Sequence, residues 1–408
     1  MMKKLLSILV LTVSLLPVFA GRNITVVVTN PLNSNRSDVP VVLSLNPYGR
    51  IQSALVTING KEIPCQLDDL NQDETFDELC FLADLGKKEM KEYTVTLYET
   101  GEPHPYPTRV YTEMLLRNTS DKKLKKNQQN NFLESITARG DAADAYHMQH
   151  HHGVAFESEL NGIRIYFDAR QTLDLYGKYQ KRLELKDTQF YTSDDQKAEG
   201  YGDDVLWVGQ TFGLGAFRGW DGTKPTHVEP VRSRTQRIIS YGPLRTIVEI
   251  VDRGWKADTT KMPINMTIRY TQYAGHRDTD VDVYFNKDVS DYRFSTGIIN
   301  VKDSKEFTDK KGLRACWGTD YPATDTTKWK RETVGLAVLV PKQYIESEEP
   351  ANKDNYAYVL KVNGNHMTYK VNYTSANETF GYHSANEWFD YLKAWRKEVD
   401  TPAVIKVL

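Results

Sequence analysis

Apolar and polar residues alternate along most of this chain, in short runs punctuated by Gly, Pro, Asn and Asp. A period of two marks strands with one face buried. Between Asn23 and Glu99 the runs are I-T-V-V-V-T-N, V-P-V-V-L-S-L, A-L-V-T-I-N-G-K-E-I with an Asn59-Gly60 hairpin turn, and Y-T-V-T-L-Y. Their even spacing predicts a small β-sandwich segment over residues 21–105. The proline-dense G-E-P-H-P-Y-P at 101–107 then breaks regular structure, and His104 within it reads as a surface residue. Longer alternating runs follow: R-T-Q-R-I-I-S and R-T-I-V-E-I-V-D-R around Tyr241-Gly242-Pro243, I-N-M-T-I-R-Y-T-Q-Y, T-D-V-D-V-Y-F-N, T-V-G-L-A-V-L-V and Y-A-Y-V-L-K-V. These exceed one small sandwich and predict two large stacked antiparallel sheets over 106–408, an all-β fold. A single helix stands out at 385–399. Ser384 and Glu387 have capping-box spacing, Trp388, Leu392, Trp395 and Val399 share one face, and Pro402 ends it.

The most chemically loaded stretch is Tyr146–Lys178. Read as extended chain, it puts His150 and His152 on one face and His151 on the other, and lines Arg164, Tyr166, Asp168 and Arg170 opposite Ile163, Ile165, Phe167 and Ala169. Asn161-Gly162 predicts a two-residue turn between its strands. The expectation is a hairpin that is apolar beneath and ionisable above.

Composition narrows the classes. The formal charge is −2, falling to −4 without Lys3 and Lys4, and no basic patch interleaves with aromatics, so nucleic acid is not an expected partner. Lys3-Lys4, the apolar run Leu5–Leu16 and Val18-Phe19-Ala20 fit a cleavable signal peptide over residues 1–20, with no Cys following to carry a lipid. A periplasmic or secreted protein without a membrane span is expected. Cys65 and Cys80 flank an acidic loop, where a disulfide and two free thiols are equally compatible with the sequence, and Cys316 reads as a packed core residue. The polar run from Asp121 reads as a solvated loop. The glycines between Gly200 and Gly222 open no helix after a strand, so they form no phosphate loop.

Five motifs together carry a family resemblance: H-H-H-G-x-A-x-E-S (150–158), I-Y-F-D-x-R (165–170), D-L-Y-G-K (174–178), G-D-D-V-L-W-V-G (202–209) and S-x-x-E-W (384–388). They resemble a family of domains of unknown function in exported proteins of polysaccharide-utilising bacteria. The resemblance covers nearly the whole chain after residue 20. It implies a galactose-mutarotase-like supersandwich and the company of pectin and rhamnogalacturonan degradation. It carries no catalytic assignment.

Roles must then come from chemistry. A face of His, Tyr, Arg and acids suits an acidic oligosaccharide or polysaccharide. Elimination would use His150 or His152 as base, Tyr176 as acid, and Arg170 or Lys178 on the carboxylate. Hydrolysis would use two carboxylates from Glu157, Asp168, Asp203 and Asp204. Epimerisation would use His152 with Glu157. His151 and Trp207 complete the binding set, with Trp207 a stacking surface or a core residue. No cofactor is expected, and a divalent ion on His150, His152 and an acid stays open. The expected function is therefore an exported carbohydrate-active protein for uronate- or rhamnose-containing plant polysaccharide fragments, as a lyase, hydrolase or epimerase. The alternative is a non-catalytic glycan-binding or accessory protein on the same fold.

Overall fold

The computed structural model describes residues 21–118, 120, 128–140 and 144–408. The predicted signal peptide and most of the polar run from Asp121 lie outside the described residues.

Alternation turns into architecture through the pleat. In Ile264–Tyr273 every second residue from Ile264 to Tyr270 is buried, and the strand sits near the middle of a nine-stranded antiparallel sheet running from Ser135–Arg139 at one edge to Lys305–Thr308 at the other. Two five-stranded antiparallel sheets lie over its apolar face. One is built from Val110–Glu113, Gly153–Ser158, Gly162–Tyr166, Leu173–Gly177 and Asp203–Asp204, the other around Phe294–Ile299 and Asn355–Leu360. Phe156, Ile163, Ile165, Leu173 and Leu175 from the first meet Ile250, Ile268 and Tyr270 of the large sheet in one continuous core. The molecule is thus all-β, a large antiparallel supersandwich with one long helix.

Residues 22–98 supply four strands of a five-stranded sheet and all of a three-stranded one, around a core of their own with Val26, Val41, Val56, Phe81 and Val95 fully buried. The strand Val404–Val407 returns to this unit and pairs with Arg22–Thr29. Arg245 joins the two bodies, its guanidinium 2.7 Å from both Asp68 and Glu78.

The helix spans Ala385–Asp400, with the Ser384 hydroxyl accepting from the Glu387 N–H. Glu387 reaches back one residue further than a capping box requires, accepting from the His383 N–H at 2.8 Å. Trp388, Leu392 and Trp395 are buried against Leu313, Ala315, Ala337 and Leu339. Gly335 lets the Trp388 indole lie against the sheet, where any Cβ would meet the ring.

Three local expectations are corrected. Asn59-Gly60 forms the expected two-residue turn, both residues at positive φ, but Asn161-Gly162 does not. There Glu157 pairs directly with Gly162, and residues 158–161 form a four-residue loop closed by Ser158 N–H to Asn161 O. The histidine run is not extended: Asp144–Met148 is a helical turn and His152 has φ 70°. The strand carrying Arg164 and Tyr166 ends at Tyr166, so Asp168 and Arg170 lie in the following turn. Cys65 pairs with Phe81 and Cys80 with Gln66, a one-residue offset that turns the two thiols to opposite faces. All three cysteines are free and buried, and burial pushes the Cys316 thiol up to about 12.

Candidate functional site

The five-stranded sheet that includes the hairpin carries an unusual outer face. Register fixes its members: Glu113 opposes Ala155, Ala155 opposes Arg164, Arg164 opposes Asp174, and Tyr176 opposes Asp204. Glu113, Glu157, Arg164, Tyr166, Asp174, Tyr176 and Asp204 therefore share the side away from the core. The segment Leu185–Tyr191 folds back over them, with Phe190 packed on Tyr176 and the Arg164 guanidinium 4.2 Å from the Phe190 ring centre. Gln189 and Phe190 both hold left-handed backbone, φ 47° and 66°, a conformation that favours glycine.

This roof seals one half of the face. Glu157 and Lys178 are wholly buried and 2.5 Å apart. Lys178 also donates to the carbonyls of Ser158 and Arg182, and Glu157 accepts from the N–H groups of Glu184 and Leu185. Burial still outweighs these contacts and raises the Glu157 carboxyl. Tyr176 is fully buried and donates to the Gly202 carbonyl at 2.8 Å. These three groups tie the 182–202 segment to the sheet, and none of them reaches solvent.

Beside them lies a second buried set. His151 Nε2 is 3.2 Å from Glu113 Oε1, and Tyr111 donates to the other Glu113 oxygen at 2.9 Å. Burial lifts Glu113 to about 8, and burial with the Arg164 charge lowers His151 to about 3. The contact is therefore a neutral acid donating to a neutral imidazole. His152 stacks on Tyr146 with ring centres 4.1 Å apart, and burial lowers it to about 4. His150 packs edge-on against Tyr191 at 5.2 Å. His150 also packs on the His151 ring, with centres 5.8 Å apart, whereas His152 stands on Tyr146. Among the described residues, no group of three His, Cys, Asp or Glu side chains gathers in a way that could hold a metal ion.

The other half of the face is open. A pocket of about 270 Å³ is lined by Arg164, Tyr166, Asp174, Asp204, Trp207 and Trp329, with Tyr191, Thr192, Lys197 and Asp203 completing it. At its floor one Arg164 nitrogen, Nη2, lies 2.6 Å from Asp174 Oδ2 and 2.9 Å from Asp204 Oδ2. Tyr166 donates to Asp174 at 2.6 Å, and the Leu175 N–H binds the other Asp174 oxygen. Asp174 is thus almost wholly buried, while the Asp204 side chain keeps 17% exposure. Burial first, and the Asp174 charge second, hold the Asp204 carboxyl well above the usual carboxylate range. A carboxyl whose hold on its proton is strengthened in this way, facing an open pocket, is better suited to proton donation than an ordinary surface carboxylate. Trp207 stands at the rim, 50% exposed, and Trp329 is partly exposed with Lys197 4.9 Å from its ring centre. Gly202 makes the approach of this segment possible, since any Cβ there would overlap the Gly177 carbonyl.

Of the residues singled out in the sequence, Asp203, Asp204 and Trp207 line this pocket. Asp168 and Arg170 pair with each other behind it, the Arg170 guanidinium 4.8 Å from the Tyr166 ring centre. Arg164, Tyr166 and Asp174 sit at the centre although the sequence reading gave them no role. The cross-strand pairing of Arg164 with Asp174 was their signal. Tyr191, Lys197 and Trp329 come from connecting segments that have no periodicity to mark them.

Fold and site together define a β-supersandwich protein with a tryptophan-rimmed acid pocket at one end of a polar sheet face. The chain belongs to the family described as "Domain of unknown function (DUF4861)", whose model matches residues 28–405. No curated protein matches it. Similar solved structures include a protein in the glycosyl hydrolase family 38 from Enterococcus faecalis, at 9% identity and TM-score 0.49, covering 95% of this chain and 47% of that one. An α-mannosidase from Enterococcus faecalis V583 is similar at 9% identity and TM-score 0.45, covering 95% and 46%. The chain spans about half the length of these structures.

Proposed function

We propose that this is an exported carbohydrate-active protein that binds a sugar between Trp207 and Trp329 and protonates a glycosidic oxygen from Asp204. The observation that carries the reading is the pocket itself: a carboxyl raised by burial and by Asp174, open to solvent beside an exposed indole. Indole faces stack on the C–H faces of sugar rings, and a proton donor at the pocket floor suits acetal cleavage. Fragments of uronate- or rhamnose-containing plant polysaccharide remain the substrate class, in keeping with the sequence resemblance and its polysaccharide-utilisation setting. Hydrolysis fits this geometry better than elimination. The residues first considered for elimination, Tyr176 and Lys178, are sealed under the 185–191 roof.

The test is incubation of the purified protein with rhamnogalacturonan and pectin oligosaccharides, reading new reducing ends and unsaturated products separately. New reducing ends without unsaturation, lost in Asp204→Asn, are expected. Unsaturated products that survive Asp204→Asn would contradict the role given to Asp204.

One observation favours a second reading, a non-catalytic glycan-binding protein. Asp174, which shares Arg164 with Asp204, is almost wholly buried and already accepts from Tyr166, Arg164 and the Leu175 N–H, which withholds it from water or an anomeric carbon. Oligosaccharide binding that is equal in wild type and Asp204→Asn, with no product from either, would select it.

A further inference from the structure

The charges lining the pocket constrain which sugar unit enters it, given the sugar-binding reading above. Among the described residues two cations line it, Arg164 and Lys197. Arg164 spends Nε and Nη2 on Asp174 and Asp204. Its remaining nitrogen, Nη1, has no exposed surface, and the guanidinium is covered by the rings of Phe190 and Tyr191. Lys197 is 2.5 Å from Asp203 and rests on Trp329. Glu332 adds a further acid near Lys197 and Asp203. Each cation is therefore already matched by carboxylate.

With Asp204 protonated, Arg164, Lys197, Asp174 and Asp203 sum to no net charge. With Asp204 ionised the pocket is negative. Among the described residues a uronate carboxylate entering here would meet no unpaired cation, and it would lie beside acids in a partly desolvated cleft, where like charges repel most strongly. A neutral pyranose meets none of this cost. Its hydroxyls can bond to the carboxyl and phenol edges, and its C–H face can lie on Trp207.

We infer that the Trp207–Trp329 pocket takes an uncharged sugar unit, and that any uronate of the same oligosaccharide lies outside it. The inference rests on the sugar-binding reading and names the unit that this site accepts.

Two methyl glycosides test it at pH 7 by calorimetry and by Trp fluorescence, which the exposed Trp207 makes responsive: methyl rhamnoside as the neutral probe and methyl galacturonate as the acidic one. The neutral probe should bind at least about tenfold more tightly. Asp203→Asn releases Lys197 from its partner, so it should raise the ratio of galacturonate to rhamnoside affinity. Trp207→Ala should weaken the neutral probe. Tighter galacturonate binding in the wild type, or no rise in that ratio in Asp203→Asn, overturns the charge inference and leaves the sugar site standing. If neither probe nor any rhamnogalacturonan oligosaccharide binds, the sugar-binding reading fails with it.

Discussion

Buried ionisable side chains on the outer face of the site sheet do two different jobs. Glu157 and Lys178 are mutually neutralised and fully hydrogen-bonded, so Lys178→Met leaves a carboxylate buried without its cation. That substitution should cost about 3–5 kcal/mol in chemical denaturation. Burial instead keeps Glu113 and His151 both neutral, and this produces a pH signature. Glu113 keeps its proton up to about pH 8 in the folded protein, against 4.5 for an ordinary Glu, so stability falls as pH rises between those values. His151 resists protonation down to about 3, against 6.5, so stability is lost as pH falls through that lower window. Above pH 6.5 only Glu113 of this pair contributes. The thermal midpoint should therefore drop from about pH 6.5 to 8, and Glu113→Gln should flatten that limb. An unchanged slope in Glu113→Gln would show that the proton does not sit on this carboxyl. Asp204 differs from both sets in facing solvent, which is why it alone is given a chemical role.

Elements show how far local pattern reaches. The late helix was readable because its cap, apolar face and terminating proline agree with one another. Ser384→Ala should cost about 1 kcal/mol and Trp388→Ala about 3–5 kcal/mol, both measurable from denaturation midpoints. Asn59-Gly60 formed the turn its residues favour, whereas Asn161-Gly162 did not. There Ser158 donates to the His276 carbonyl and Asn161 to the Arg277 carbonyl, and Tyr373 bonds at Gly162, so tertiary partners override the dipeptide preference. The histidines misled for a related reason. Their alternation resembles a strand, but Tyr146 and Tyr191 stack against them and the backbone turns at His152. Polar residues alternating through Arg164, Tyr166 and Asp174 did mark the correct sheet face.

In the whole molecule, the supersandwich core was legible because long strands such as Ser233–Ser240 and Ile264–Tyr273 carry a period-two record of which face is buried. The pocket was legible only in part. Asp203, Asp204 and Trp207 come from one motif, but Arg164 and Asp174 gain meaning only once register sets them opposite each other. Trp329 arrives from the loop between Leu313–Asp320 and Glu332–Leu339, more than a hundred residues along the chain from Trp207. Long-range pairing of this kind leaves no local trace. The account stands on these distant pieces forming one sugar site, and a crystal structure of Asp204→Asn soaked with a rhamnogalacturonan oligosaccharide tests that most directly. Density for a sugar ring stacked on Trp207, with a glycosidic oxygen at residue 204 and its uronates outside the pocket, is the expected result. An oligosaccharide bound elsewhere on the protein, with this pocket unchanged, would contradict it.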